Sequence, residues 1–120
     1  MPSTAKKILI VSTEENIRAS LKLILADTCA LLLTDNIPQA LVCLKNDPSI
    51  QIALWDITLD KKESIKIFKN PPPKSSARFI FIGDKKNLEA FAKKEDITEA
   101  NQLYRPFKEE DVLNKISAAI

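Results

Sequence analysis

Four apolar runs end in residues that could do chemistry: Ser12 and Thr13 follow KILIV, Asp56 closes IQIALWD, Gly83 follows RFIFI, and Arg105-Pro106 follow QLY. Two hydroxyls, a carboxylate and a guanidinium brought to one end of a sheet could hold a cation, bind an anion, or satisfy one another. Other chemistries are closed off. The chain has no histidine and two cysteines, which excludes histidine acid–base catalysis and leaves too few ligands for an ordinary zinc centre. Gly83 is the single glycine, so no glycine-rich loop is present to cradle a nucleotide phosphate.

These residues need elements to position them, and the hydrophobic pattern supplies a regular alternation. KILIV (7–11), ALLL (30–33), IQIALWD (50–56), RFIFI (78–82) and QLY (102–104) read as strands. Between them run helical stretches. Ile17, Leu21, Ile24 and Leu25 recur at helical spacing; a helix opening at Pro38 carries Ile37, Leu41 and Leu44; residues 62–69 carry Ile65 and Phe68 inward. Leu88 and Phe91 mark a fourth helix, and Val112, Leu113 and Ile116 lie on a last one starting near Glu109. The order is (βα)5. Strands that are apolar almost throughout indicate a parallel sheet covered on both faces, a doubly wound α/β domain of flavodoxin-like type. Such sheets bind ligands beyond the carboxyl ends of their strands, where the candidate residues fall.

Length and composition bound the rest. The 120 residues make one domain, 1–120, with 45% hydrophobic and 28% charged residues and a formal charge of +2. That balance gives no general reason to expect a nucleic-acid or membrane surface. No apolar run approaches a membrane span and MPSTAKK does not lead into a signal-peptide core, so the expected location is cytoplasmic. Cys29 and Cys43 sit among apolar neighbours and read as reduced core thiols.

Ser12 and Thr13 admit two readings. Ser12 stands three residues before Glu15, the spacing of a capping box, in which hydroxyl and carboxylate each satisfy a backbone N–H of the helix start. Alternatively, the two hydroxyls and the helix N-terminus form an anion site. Asp56 likewise either caps the loop that follows it or is a reactive group. Trp55 reads as core, Lys85, Lys86, Lys93 and Lys94 as solvated charge, and Tyr104 as an exposed aromatic.

Taken together, the ILIV strand, the aspartate closing IALWD, Arg-Pro-Phe at 105–107 and the (βα)5 order resemble the receiver domains of two-component response regulators, over essentially the whole chain. The resemblance implies that Asp56 occupies the position of the aspartate that accepts a phosphoryl group in the two-component phosphorelay. Pro106 and Phe107 match the proline and the aromatic that often follows it, in a family where the bond before that proline is cis. Other positions depart. Ser12 and Thr13 replace the acidic pair that helps hold Mg²⁺, Gly83 replaces the switch hydroxyl, Arg105 replaces the lysine, and Gln102 stands where an aromatic switch residue is usual. In the loop after Asp56, which carries Thr58 into the pocket, Asp60 and Ser64 replace a common proline and glycine.

Phosphoryl transfer to a carboxylate depends on positioning and on a metal ion that neutralises developing charge. Mg²⁺ asks for hard oxygen ligands, and Asp56 is the one carboxylate these positions retain. The expectation is therefore an atypical, non-enzymatic receiver without a resident cofactor. It would work through protein partners, a histidine kinase or an output domain among them, with Gln102 and Tyr104 on the switch face. The alternative is a working, Mg²⁺-dependent phosphoacceptor. Asp56 is further expected to pair directly with Arg105 across the vacated metal position.

Overall fold

A computed structural model describes residues 6–119. Five strands, β1 (Lys6–Val11), β2 (Cys29–Thr34), β3 (Ile52–Asp56), β4 (Arg78–Asp84) and β5 (Gln102–Arg105), alternate with helices α1 (Glu15–Leu25), α2 (Ile37–Asn46), α3 (Lys61–Lys69), α4 (Lys85–Glu95) and α5 (Glu109–Ala118). All strand pairs are parallel, in the order β2-β1-β3-β4-β5. This is the (βα)5 sheet expected from the apolar runs. Its boundaries differ by a residue or two; β3, for instance, begins at Ile52, with Gln51 just before it already bonded through its N–H to the Lys7 carbonyl.

Strand side chains point alternately to the two faces, and each face acquires its own core. Ile8, Ile10, Ile52, Leu54, Ile80, Ile82 and Leu103 pack beneath α1 and α5. Leu9, Val11, Ala53, Trp55, Phe79 and Phe81 pack beneath α2, α3 and α4, where Phe68 and Phe91 meet Phe81 edge-on. All five β3 residues are buried, so both faces of the central strand are dry and Asp56 is carried to the end of a fully covered segment.

Three helices start on side-chain caps. Asn36 accepts from the Gln39 N–H at α2, Asp60 from Glu63 at α3 and Asp84 from Asn87 at α4, each contributing about 1 kcal/mol. On α3, Ile65 and Phe68 are half-buried and packed against the core, as their spacing implied, with Ser64 and Ile67 fully buried beside them. Cys29 and Cys43 are free thiols, half-buried rather than in the core. Among the described residues no helix is long and apolar enough to cross a membrane.

Candidate functional site

The carboxyl ends of β1, β3, β4 and β5 bring Ser12, Asp56, Gly83 and Arg105 to the same end of the sheet, β1 and β4 flanking β3. Asp56 is 1% exposed and Ser12 fully buried. The Ser12 hydroxyl donates to Asp56 Oδ2 at 2.7 Å, and the Thr58 N–H donates to Oδ1 at 2.9 Å. Both carboxylate oxygens are thus engaged by donors from the neighbouring strand end and from the loop that follows. Buried polar groups are tolerable when satisfied in this way, and no buried side-chain polar atom among the described residues lacks a partner.

Ser12 does this in place of the capping box. Its oxygen accepts from the Glu14 N–H at 3.1 Å while its proton goes to Asp56, and α1 begins beyond Glu14, an N-cap whose side chain makes no capping bond. The Ser12–Glu15 exchange does not form: α1 starts at Glu15 with Glu14 as its N-cap, the hydroxyl oxygen takes the Glu14 N–H, and the Ser12 N–H is already given to the Thr34 carbonyl, while the hydroxyl proton is committed to Asp56 forty-four residues away. The same commitment removes Ser12 from an anion site. Thr13 is exposed and takes no part in the pocket's hydrogen bonds. The Ser12 carbonyl is held by Arg18 Nη1 at 2.6 Å, a contact invisible to strand-end reasoning but consistent with the one-turn spacing from Glu14 to Arg18.

The expected Asp56–Arg105 pair is absent. Arg105 instead lies with Nη1 3.5 Å from Glu14 Oε2, and both side chains are more than one-third exposed. The reason is competition. Asp56 already has two short neutral donors inside the protein, whereas Glu14 offers Arg105 a partner at the rim without desolvating the guanidinium. The Arg105-Pro106 bond is cis, as the resemblance implied.

Gly83 shows a second kind of substitution. A Cβ built there would stand 2.6 Å from Ile57 Cδ1 and 2.8 Å from Ile57 Cγ1, with Leu88 Cβ at 3.5 Å. The Ile57 side chain, 3% exposed, fills the space a switch hydroxyl would need. On the β5 side Gln102 is buried, donating to the Ile97 carbonyl at 3.0 Å and accepting from the Tyr104 hydroxyl at 3.2 Å. Tyr104 is half-buried rather than exposed, and burial, with Glu89 and Glu99 nearby, pushes its phenol above the usual value.

One functional neighbour escaped sequence reasoning. The Trp55 indole N–H donates to Ser64 Oγ at 2.7 Å, and Ser64 donates to the Asp60 carbonyl at 2.7 Å. A serine at the fourth position of α3, nine residues past a buried tryptophan, was the available signal.

The donor set of this pocket suits Mg²⁺ poorly. Ser12 and Thr13 are neutral, Glu14 is turned to Arg105, and Asp56 is buried with each oxygen accepting a hydrogen bond, leaving no pair of carboxylates for an octahedral ion. Among the described residues no group of three or more metal-ligating side chains comes together.

No protein-family model matches the sequence, and no curated protein matches it. Solved structures do. The chemotaxis response regulator CheY4 of Vibrio cholerae superposes with a TM-score of 0.80 at 16% identity, over 98% of this chain and all of that one. A CheY-like receiver domain protein from Methanospirillum hungatei JF-1 gives 0.72 at 23% identity, over 96% and 93%. A response regulator receiver modulated diguanylate cyclase from Pelobacter carbinolicus gives 0.73 at 19%, over 95% and 91%. The chain has the CheY-like receiver fold.

Proposed function

We propose that this chain is a signal-transduction receiver with a degenerate acidic pocket, which acts through protein contacts with little or no Mg²⁺-dependent phosphorylation. The observation that carries the proposal is the closure of Asp56: both carboxylate oxygens accept hydrogen bonds, and the residue is 1% exposed. In-line attack on a phosphodonor needs a free carboxylate oxygen, an approach path and a cation. Here each oxygen already accepts a hydrogen bond, the carboxylate is buried, and Arg105 is paired with Glu14. A domain so closed favours one conformation and suits constitutive docking better than switching. The partner is a protein, a histidine kinase or an output domain such as the one that the P. carbinolicus relative's name describes as receiver-modulated.

A second reading, phosphorylation at Asp56, draws on one observation: the residue does stand at the carboxyl end of the central strand. Intact mass after incubation with phosphoramidate and Mg²⁺ decides between them. No added phosphoryl group is expected, nor any saturable heat of Mg²⁺ binding by calorimetry at millimolar concentration. A phosphoryl adduct lost in Asp56→Asn would overturn the proposal.

A further inference from the structure

The formal charge of +2 conceals a strong asymmetry. Residues 61–94 hold ten of the chain's 18 lysines and arginines but only three of its 16 acids, a local charge of +7, so the remainder carries −5. That segment is α3, β4 and α4, and both helices cover the same face of the sheet. On α3, Lys62, Lys66 and Lys69 recur at one-turn spacing, on the side opposite buried Ser64 and Ile67. On α4, Lys86 and Lys93 stand two turns apart, opposite buried Leu88, Phe91 and Ala92, with exposed Glu89 between them offsetting part of their charge. All five lysines are exposed, and both stripes face the same solvent. A single pair across the helices, Lys69 with Glu95 at 3.9 Å, neutralises part of one end.

We infer that this α3–α4 face docks an acidic protein segment. Each lysine stripe spans about 10 Å along its helix, a repeat that the carboxylates of an Asp/Glu-rich segment can follow. The stripes contain no arginine, the side chain suited to bidentate phosphate and guanine contacts, and the face exposes no aromatic ring for base stacking, which disfavours nucleic acid. A membrane surface would ask for apolar side chains beside the lysines. The exposed large hydrophobics Leu23, Leu33 and Val42 belong instead to α1, β2 and α2. Exposed charge on two rigid helices raises association rate and selectivity without a conformational change. The surface shares no residue with the Asp56 pocket, so it stands whether or not that aspartate is phosphorylated.

The test is fluorescence anisotropy with a labelled poly-glutamate peptide. The unmodified protein should bind it with an affinity that falls steeply with salt, and Lys62→Gln/Lys66→Gln/Lys93→Gln should weaken binding by about tenfold or more. Lys22→Gln/Lys45→Gln/Lys108→Gln makes the same change in net charge elsewhere and should leave binding within about twofold. Circular dichroism checks that both triples are folded. Equal losses in the two triples would overturn the inference, since net charge alone would explain them. So would tighter binding of duplex DNA, or of phosphatidylserine vesicles, than of the peptide. Self-association in sedimentation that the first triple disperses would also overturn it, assigning the face to a second copy of the chain.

Discussion

The ends of β1 and β4 flank Asp56 from opposite sides and are closed by different physics. At β1 the closure is polar: a buried hydroxyl gives its proton to a buried carboxylate. At β4 it is apolar: the one glycine leaves a gap that Ile57 fills. A polar closure is strong only while both partners remain, because a buried group stripped of its partner bears its whole desolvation cost. An apolar closure is more forgiving, since a branched side chain can rotate or be shortened, but it leaves no room for anything new. The same pocket is thus brittle on one side and merely full on the other.

The sharpest way to break this comparison is to remove the hydroxyl. Ser12→Ala strands Asp56 Oδ2 in a dry site and should cost about 3 kcal/mol by chemical denaturation. In an Asp56→Asn background the same change should cost about 1 kcal/mol or less, because no buried charge is left behind. Equal costs in the two backgrounds would show that the 2.7 Å contact carries no charge-dependent energy.

Next in size is Gly83→Thr, which drives a Cβ to 2.6 Å from Ile57 Cδ1 and should destabilise by about 1–3 kcal/mol. Combining it with Ile57→Ala should recover part of that loss, although Ile57→Ala alone is destabilising. A neutral Gly83→Thr would mean that Ile57 moves freely and the closure on this side is loose.

Arg105 sets the lower scale. Its pair with Glu14 is exposed, so Arg105→Ala should change stability by less than about 0.5 kcal/mol and should be additive with Asp56→Asn. A coupling above about 1 kcal/mol between Arg105 and Asp56 would bring back the direct pair that the geometry omits.

How much of this was written in the sequence depends on the range of the interaction. Strands and helices follow from apolar periods within ten residues, and the (βα)5 order, the strand-end positions and the place of Asp56 were all legible from them. Partner choice was not. Ser12 had a local role to suggest, a cap with Glu15, and a distant acceptor for its proton, Asp56, and spacing along the chain shows only the local one. Only the parallel register of β1 and β3, which sets Val11 beside Trp55, brings the distant acceptor within reach. Arg105 was misassigned for a different reason: a rim carboxylate, Glu14 at the start of α1, competed with a buried one, and desolvation decided in its favour. The plug at Gly83 needs three-dimensional volume, which no one-dimensional pattern carries.

The smallest expected effect is in pH. Asp84, at the end of β4, is held below the usual carboxylate value chiefly by the Asn87 N–H and then by its side-chain amide. Because the folded value is depressed, this contribution is present above the ordinary carboxylate value and disappears as pH falls through the lower folded one. Replacing it by Asp84→Ala should flatten the fall in stability below about pH 4 without moving the neutral plateau beyond the loss of one cap. Asp47, bound to Lys7 and Ser49, should respond with the same sign.

The bond from Trp55 to Ser64 has an optical consequence. The chain has one tryptophan, fully buried against Phe79 at 5.2 Å, and its indole N–H is tied to the first turns of α3 rather than to the sheet that carries it. Its emission therefore reads two things at once. The colour reports whether the face beneath α2, α3 and α4 is dry, and the hydrogen bond reports whether α3 is seated. Unfolding of the whole domain moves both together, whereas a partner that lifts α3 alone would alter the indole's hydrogen bonding while its aromatic surroundings stay intact. The protein carries its own gauge of that one helix, with no label added.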